Sequence, residues 1–379
     1  MSSFATLFGP KADPPTPLGR LRILGPNAAI RVSPLCLGAM NIGGAWGEVM
    51  GTSSKESSFE LMDYFFDSGG NFIDTANNYQ NEESEIWIGE WMAKRKNRDQ
   101  IVLATKYSSP YNTYDKSIAI HANYTGNHTK SLKLSLADSL RKLQTDYIDL
   151  LYVHWWDHTT SIPELMQSLN QLVASGKVLY LGVSDTPAWI VSKANQYAAD
   201  HGLRGFSVYQ GKWSASMRDM ERDILPMTRA DGLAVCPWGA MGQGAFKTKE
   251  QFEEMNKSGE KGRNGRPATE NDKKVTVVLD KLARAKGKSI TAIALAYVLQ
   301  SQPYVHPIVG GRKVSHLKDN IEALTIQLSA EDLDEIHKAT DFAIGFPHDM
   351  VGQSASQNVF IKNAGVLDSP PAPKACGQS

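Results

Sequence analysis

The sequence is poor in cysteine and has no excess of charge of either sign. Its 379 residues include only three cysteines, Cys36, Cys236 and Cys376, which are scattered and form no C-x-x-C pair. Such spacing argues against a disulfide framework and against a zinc site, and it favours a reducing compartment. Forty basic residues balance forty acidic ones, so no overall field favours nucleic acid or a membrane surface as a partner.

Long apolar runs are missing as well. No run approaches the roughly 20 apolar residues that a transmembrane helix needs, and the opening residues MSSFA lack the charged and apolar regions of a signal peptide. No G-x-G-x-x-G motif follows an early strand, so a Rossmann dinucleotide site is not expected. These absences predict a cytosolic protein with neither membrane nor nucleic-acid partners.

What the sequence does contain is a long alternation of short apolar runs with amphipathic segments of helical period. Eight strands alternating with helices predict an α/β protein with the (β/α)₈ topology of a TIM barrel. The strands are predicted at residues 34–38, 71–74, 101–105, 147–153, 178–183, 206–209, 233–237 and 306–309. The helices are predicted at 55–69, 82–95, 130–144, 161–175, 187–201, 219–230, 272–301 and 314–324, with a last one capped by Ser329 and Asp332.

Proline and glycine mark the segments outside this alternation. Residues 1–17 are predicted to form an irregular amino-terminal arm, residues 18–345 a single barrel domain, and residues 346–379 a carboxyl-terminal loop and tail. Residues 20–32 predict a hairpin at the start of the domain. The long loop 239–271 follows the seventh strand, where a barrel keeps its active-site loops, so we expect it to be a lid or ligand clamp.

Three consecutive predicted strands each deliver one ionisable residue to their carboxyl ends. These residues are Asp74, Lys106 and His154, and Tyr79 follows Asp74 by five positions. The carboxyl ends of parallel strands meet at one rim, where ligands bind. A phenol has a pKa of about 10, which a neighbouring ammonium lowers. We therefore predict that Tyr79 is a general acid/base and that His154 orients a substrate oxygen; the alternative is that each residue only satisfies a strand end.

Three motifs resemble the aldo-keto reductase superfamily. They are F-I-D-T-A-x-x-Y at 72–79, A-T-K at 104–106 and D-L-L-Y-V-H at 149–154, and the likeness covers about residues 20–340. The resemblance implies that Tyr79 is the proton donor, with Asp74 and Lys106 as its partners and His154 as the carbonyl-orienting residue. The insert after the seventh strand and the proline-rich arm resemble the fungal aryl-alcohol dehydrogenases and norsolorinic acid reductases.

A phosphate site is predicted at the end of the last strand. There Val309-Gly310-Gly311-Arg312-Lys313 opens the predicted helix 314–324. Glycines let the backbone approach a phosphate, the helix amino terminus favours anions, and two cations can neutralise an additional phosphate. This pattern favours NADPH over NADH, although a solvated helix start explains the two cations equally well. Gly239, Gly242 and Gly244 form a related glycine pattern after a late strand.

The resemblance implies further contacts with a nicotinamide cofactor. It implies that Asn320 contacts the adenine, with His316 one turn earlier on the same helix face. It also implies that Ser184, Asp185 and Gln210 lie near the nicotinamide amide and that Trp238 stacks on the ring. Asp185 departs from the asparagine common in the family.

Aromatic residues after the strand ends predict a substrate mouth made by Trp46, Tyr107 and Trp155 together with Tyr79 and His154; ordinary packing under loops is the alternative. His154 and His158 are four apart, but the H-E-x-x-H site needs a helix and a glutamate, so no metal is expected.

Taken together, the sequence predicts an NADPH-dependent reductase of aromatic aldehydes or aryl ketones that also works in reverse as an aryl-alcohol dehydrogenase. A different class of function is an NADPH-binding barrel that serves as a regulatory or scaffold subunit. A metal-dependent barrel hydrolase is a third, opposed by the lack of clustered ligands. The oligomeric state is open.

Overall fold

In the computed structural model, the predicted hairpin precedes the barrel strands. The structure describes residues 9, 12–248, 250, 251, 253, 267–368 and 373–375. Strands β1 (Arg22–Gly25) and β2 (Ala28–Val32) pair antiparallel. The hairpin is tied to the main domain by His306, whose Nε2 donates a hydrogen bond to the Leu24 carbonyl oxygen at 2.9 Å.

Eight parallel strands follow in sequential order and confirm the predicted (β/α)₈ barrel. They are β3 (Cys36–Gly38), β4 (Phe72–Asp74), β5 (Val102–Tyr107), β6 (Ile148–Val153), β7 (Val178–Ser184), β8 (Phe206–Lys212), β9 (Ala234–Trp238) and β10 (Ile308–Val309). Strands β10 and β3 pair, and the barrel is closed where Val235 bonds to the chain before β10, from Val235 N to Tyr304 O at 2.9 Å and from His306 N to Val235 O at 2.8 Å. We call the carboxyl ends of these strands the rim and their amino ends the base.

Helices surround the barrel close to the predicted positions. They are α1 (Gly47–Met50), α2 (Lys55–Asp67), α3 (Glu83–Arg95), α4 (Thr129–Leu143), α5 (Ile162–Ala174), α6 (Ala188–Asp200), α7 (Ile224–Asp231), α8 (Glu270–Lys286), α9 (Ile290–Gln300), α10 (Val314–Glu322), α11 (Ala330–Lys338), α12 (His348–Val351) and α13 (Val359–Lys362). The capping box at Ser329 and Asp332 is confirmed, because both of its hydrogen bonds are present.

The single helix predicted at 272–301 was wrong: it is two helices, α8 and α9. Gly287 ends α8 in the left-handed conformation with φ of +63°, which glycine adopts without a Cβ clash. Ser289 then begins α9, and its hydroxyl accepts a hydrogen bond from the Ala292 backbone at 3.1 Å. Both signals stand in the sequence, but the uninterrupted apolar periodicity on either side concealed them.

Side chains along the strands alternate between the barrel interior and the helix layer. One apolar cluster lies between strands and helices, and a smaller one fills the interior. Cys36 and Cys236 are free, buried thiols of the interior cluster, and Cys376 lies outside the described residues. Within the parts of the chain described above, no helix has both the length and the apolar content needed to cross a membrane.

The predicted clamp is described only in part. Residues 239–248 continue from β9 along the rim and include a short 3₁₀ turn at Gly242–Gly244. Residues 249, 252 and 254–266, which include most of the lysines of the predicted clamp, lie outside the described residues.

Candidate active site

A buried ion pair joins two neighbouring strands at the rim. Asp74 is the last residue of β4, and Lys106 lies within β5 with its side chain fully buried. The Lys106 Nζ lies 2.5 Å from Asp74 Oδ1 and also donates to the Thr75 carbonyl oxygen at 2.8 Å. Gln210 on β8 donates to the other carboxylate oxygen of Asp74 at 2.9 Å. Burial lowers the pKa of Lys106, but Asp74 and Tyr79 together outweigh it and raise that pKa, so the ammonium stays charged.

Tyr79 lies directly above this pair. The Lys106 Nζ is 5.3 Å from the centroid of its ring, and the ring meets His154 edge-on with a centroid distance of 5.9 Å. Burial is the largest influence and raises the pKa of Tyr79, Lys106 lowers it and Asp74 raises it, so the net direction is upward. The sequence argument that Lys106 lowers the Tyr79 pKa named a real effect but omitted the larger effect of burial. Tyr79 is therefore a protonated phenol at neutral pH.

The loop that carries Tyr79 has an unusual backbone. The next three residues, Gln80, Asn81 and Glu82, have φ values of +53°, +51° and +78°, in the left-handed region that residues other than glycine seldom adopt. Lys142 on α4 holds this loop from below: its ammonium pairs with Glu82 at 2.9 Å and donates to the Asn77 carbonyl oxygen at 3.2 Å. No sequence signal links Lys142 to this loop, because the contact joins residues about 60 positions apart.

His154 follows β6 and is a neutral base. Burial, with a smaller effect from Lys106, lowers its pKa to about 3. Its backbone N–H donates to the Tyr107 carbonyl oxygen at 3.1 Å, which extends the pairing of β6 with β5 by one residue. Ser109 Oγ lies 3.3 Å from Nδ1 of its ring. A neutral imidazole can orient a carbonyl oxygen through its one N–H group.

Two of the aromatic residues expected at the substrate mouth lie elsewhere. Because β5 extends to Tyr107 and side chains alternate, Lys106 faces the interior and Tyr107 faces the helix layer. The Tyr107 hydroxyl donates to the Asn127 carbonyl oxygen at 3.1 Å, and the side chain is buried. Trp155 lies beside the pocket rather than on its wall, with its indole N–H donated to Ser109 Oγ at 3.0 Å. Trp46 does line the pocket.

Two adjoining cavities run along the rim, with volumes of about 510 and 400 Å³. They share Asn41, Gly239, Gln243, Ile308 and Gly310. The first is lined among others by Trp46, Asp74, Tyr79, His154, Ser184, Asp185, Gln210 and Trp238. The second is lined among others by Gly244, Gly311, Arg312, Lys313, His316 and Asn320. Most of the predicted catalytic and cofactor residues therefore line one cleft. Lys106, buried beneath it, and Gly242 do not, and the missing side chain of Gly242 leaves room for the ring of Phe246.

Asp185 and Trp238 form one wall of the first cavity. The Trp238 indole N–H donates to Asp185 Oδ1 at 3.3 Å, and Lys212 Nζ lies 5.6 Å from the centroid of the indole. The Asp185 side chain is open to the cavity, yet the surrounding walls limit its hydration, and this burial raises its pKa. The carboxylate can thus accept hydrogen bonds from Trp238 and from a ligand at the same time.

Two cations and the amino terminus of a helix line the second cavity. Arg312 and Lys313 immediately precede α10, and no side chain caps the first turn of this helix, whose amino terminus favours anions. Gly51, with φ of +78°, leaves room for the Arg312 guanidinium, because a Cβ there would lie 1.8 Å from Nη1. Asn320 is buried two turns further along α10.

Sequence reasoning missed several cleft residues. Asn41 and Gln243 line both cavities, and Ser109 lines the first. Asn41 and Ser109 are polar residues just after β3 and β5. Asp74 and His154 were predicted because ionisable residues at the carboxyl ends of strands lie at the rim, and the same reasoning applied to uncharged polar residues predicts Asn41 and Ser109. In the described part of the chain, no three histidine, cysteine or acidic residues are grouped so that they could hold a metal ion.

Among known proteins, the chain matches the model of the aldo/keto reductase family over residues 34–341. Norsolorinic acid reductase B of Dothistroma septosporum is 57% identical over 369 residues, which cover 93% of this chain and 93% of the relative. Norsolorinic acid reductase of Aspergillus flavus is 54% identical over 346 residues, 91% of this chain and 87% of the relative. An aryl-alcohol dehydrogenase of Pestalotiopsis microspora is 52% identical over 346 residues, 91% of this chain and 88% of the relative. The resemblance drawn from the sequence motifs is confirmed.

Proposed function

Since the chain belongs to the aldo/keto reductase family, whose members are oxidoreductases that use nicotinamide cofactors, we propose that it is an NADPH-dependent reductase of aromatic aldehydes or aryl ketones. In reverse it acts as an aryl-alcohol dehydrogenase. The observation that carries the proposal is the continuous cleft, which has Tyr79 and His154 in one cavity and Arg312 and Lys313 in the adjoining one.

The cleft fits a phosphorylated dinucleotide by the chemistry of its lining. Gly310, Gly311 and the amino terminus of α10 suit a pyrophosphate, because backbone N–H groups and the helix dipole favour anions. Arg312 and Lys313 add two cations beside that terminus, enough to hold an additional phosphate by charge-assisted hydrogen bonds. This supports NADPH over NADH, with Asn320 and His316 toward the adenine.

At the other end of the cleft, Ser184, Asp185 and Gln210 offer polar atoms to a carboxamide, and Trp238 offers an indole face to an aromatic ring. When bound there, the nicotinamide supplies a hydride. Asp185 carries a carboxylate instead of an amide, so it can accept but not donate while ionised. The amide N–H of a carboxamide is a suitable donor to it.

The chain's own residues handle the proton. Because the pKa of Tyr79 is raised, Tyr79 is a protonated phenol that can protonate the carbonyl oxygen as the alcohol forms. The Lys106 ammonium, held by Asp74 at 2.5 Å, stabilises the phenolate that remains. Neutral His154 orients the oxygen through one N–H group. In the reverse direction Tyr79 must act as a phenolate, so alcohol oxidation should rise with pH.

Substrate class follows from the walls of the first cavity. Trp46 and Trp238 face it together with Tyr79, and aromatic walls suit flat aromatic substrates. The names of the relatives, aryl-alcohol dehydrogenase and norsolorinic acid reductase, point to aryl substrates for those proteins. We extend that class to this chain, whose proposed substrate is a small-molecule aromatic carbonyl or alcohol.

The direct experiment is a turnover screen of aromatic aldehydes, aryl ketones and aromatic alcohols with NADPH or NADP⁺. Tyr79→Phe should lower carbonyl reduction by at least about 10²-fold, the lower end for a positioned proton donor, while NADPH binding is retained. A variant that reduces aldehydes at the wild-type rate would show that Tyr79 is not the acid. Tight NADPH binding without turnover of any substrate would instead favour the regulatory or scaffold barrel.

A further inference from the structure

A chain of hydrogen bonds lies behind the catalytic histidine. Ser109 lies two residues beyond the end of β5, and His154 and Trp155 lie just beyond the end of β6. The Trp155 indole N–H donates to Ser109 Oγ at 3.0 Å, and the same Oγ lies 3.3 Å from Nδ1 of His154. The pairing of β5 with β6 brings the three residues together, although 45 positions separate Ser109 from His154.

The directions of these bonds follow from what each group can do. An indole N–H can only donate, so Ser109 Oγ accepts from Trp155. The serine hydroxyl has one proton of its own, and among the residues that the structure describes His154 Nδ1 is its only hydrogen-bonding acceptor. If Nδ1 carried a proton, Ser109 would accept twice and its own proton would have no protein acceptor. If Nδ1 carries a lone pair, all three groups are satisfied.

His154 is neutral, so one of its two ring nitrogens carries the only ring proton. Its pKa is lowered to about 3 by burial and by Lys106. With a lone pair on Nδ1, the proton is on Nε2. No hydrogen bond to Nε2 is present among the described residues, and His154 lines the first cavity. An Nε2–H group attracts a carbonyl oxygen, whereas a lone pair there repels it.

We propose that Ser109 is a positioning residue that sets the tautomer of His154. Ser109 accepts the indole proton of Trp155, donates its own proton to Nδ1 and so holds the imidazole proton on Nε2, where it is available to the substrate oxygen. Trp155, expected at the substrate mouth, is the anchor of this relay. The bond from Nε2–H to a substrate oxygen rests on the proposed function, whereas the tautomer of His154 does not.

The tautomer can be read without any assay of activity. The test uses ¹⁵N-histidine-labelled full-length protein, in which long-range ¹H–¹⁵N spectra tell which ring nitrogen carries the proton. The chain has nine histidines, and the signal that disappears in His154→Gln identifies His154. We expect Nε2–H in the wild type. Ser109→Ala should shift His154 to a mixture or to Nδ1–H, Ser109→Thr should restore Nε2–H because it keeps the hydroxyl, and Ser117→Ala, a serine of the same loop bonded to Asp115, should change nothing.

Kinetics supply a second readout. Ser109→Ala should lower kcat for an aromatic aldehyde by about ten-fold, because the hydrogen bond that orients His154 is lost. The NADPH affinity of this variant should be unchanged, and the kcat of Ser109→Thr should be close to that of the wild type. An Nδ1–H tautomer in the wild type would overturn the relay whatever the activity, and so would a pure Nε2–H tautomer in Ser109→Ala. If no carbonyl substrate is reduced at all, the proposed function fails while the spectra still decide the role of Ser109. Circular dichroism of His154→Gln and Ser109→Ala should show that both variants keep the fold, so that the change in the spectra reports on the ring of His154.

Discussion

At the base of the barrel Arg98 and Asp149 form a buried ion pair, and at the rim Lys106 and Asp74 form another, with N···O distances of 2.9 and 2.5 Å. Arg98 is fully committed to the protein. It also donates to the carbonyl oxygens of Ile101 and Tyr147, at 3.1 and 2.8 Å, and its guanidinium lies 3.8 Å from the centroid of the Tyr147 ring.

The pair at the rim, by comparison, leaves one N–H group of its cation for a third residue. The Lys106 ammonium has three N–H groups and uses two on Asp74 and on the Thr75 carbonyl oxygen, so the third is left for Tyr79. Asp74 lines the first cavity. The ion pair at the base is thus surrounded by hydrogen bonds to protein groups. The ion pair at the rim keeps one N–H group of Lys106 for Tyr79.

Cavity size alone does not distinguish the two ends. A cavity of about 640 Å³, larger than either one at the rim, lies at the base between α5 and α6. It is lined by amide side chains such as Asn170, Asn195 and Gln196 and by none of the predicted catalytic or cofactor residues. What distinguishes the rim, the proposed reactive end, is the convergence of ionisable groups with shifted pKa values on a cavity wall.

The largest expected effect tests the base. Arg98→Met leaves the Asp149 carboxylate buried and without its cation, so it should destabilise the fold by about 3–5 kcal/mol. Urea unfolding measures this. The matched control is Arg95→Met, which breaks pairs with Asp63 and Asp67 on the surface of the helix layer and should cost about 1 kcal/mol or less. Equal losses in both variants would mean that the base pair is no more than a surface contact.

Lys106→Met tests the rim. It should lower kcat for carbonyl reduction by about 10²-fold, because the phenolate of Tyr79 loses its stabilising charge. Lys106 lowers the pKa of Tyr79, so its removal should also move the rise of alcohol oxidation to higher pH. A pH profile and rate equal to the parent's would reduce Lys106 to a structural residue.

The rim pair was predictable from sequence and the base pair was not, for a physical reason. Asp74 and Lys106 sit at the ends of apolar strands, where a buried charge is costly unless it has a partner or a task. Arg98 lies in a short 3₁₀ turn before β5, and from the sequence a cation in such a turn is expected to be an exposed surface residue. Arg98 reaches Asp149 only because β5 and β6 pair in a particular register, and the sequence does not specify that register. The Ser109 relay and the Lys142 support of the Tyr79 loop escaped prediction for the same reason.

The third prediction concerns cations at the rim that face a ligand. Arg312→Ala with Lys313→Ala should lower NADPH affinity by about a hundred-fold or more, since each of the two lost charge-assisted hydrogen bonds costs about 1.5–3 kcal/mol. NADH affinity should barely change, because NADH lacks the additional phosphate. Titration of both cofactors by fluorescence measures this. Equal losses for the two cofactors would move the phosphate site elsewhere in the cleft.

The fourth prediction compares the histidines at the two ends. The pKa of His306 at the base is lowered to about 4, mainly by burial, and that of His154 to about 3. Both folded values lie below the unfolded value of about 6.5, so the stability they contribute is present above about pH 6.5 and is lost as pH falls from there toward 4. Each neutral histidine contributes up to about 1.4 kcal/mol per pH unit in that window. The share of His154 should be smaller, because it faces a cavity.

Urea midpoints at pH 7, 6 and 5 test this difference. His306→Gln keeps an N–H donor for the Leu24 carbonyl oxygen but cannot take up a proton, so its stability should fall less steeply with acid than that of the wild type. His154→Gln should flatten the same dependence by a smaller amount. A slope unchanged in His306→Gln would mean that His306 does not remain neutral in the folded barrel.

The smallest expected effect concerns the long loop after β9, predicted to be a cofactor clamp. Its described part supports the position: Gly239 and Gln243 line both cavities, and Lys247 lines the second and donates to the Gly244 carbonyl oxygen at 2.8 Å. Burial lowers the pKa of Lys247, so an anion beside it should favour the charged form. Such loops close over ligands and often limit product release. The competing explanation is a surface insertion that does not respond to cofactor.

Limited tryptic proteolysis with and without NADPH decides between a clamp and an inert insertion. Bound cofactor stabilises the whole fold by mass action, so slower cleavage alone proves nothing, and the base supplies the control. Lys96 and Lys177 are exposed and precede β5 and β7 at the base. A clamp requires cleavage between residues 242 and 266 to slow by a larger factor than cleavage at these two lysines. If saturating NADPH slows both ends equally, the loop takes no part in holding the cofactor, and the cleft is closed only by the residues that line it.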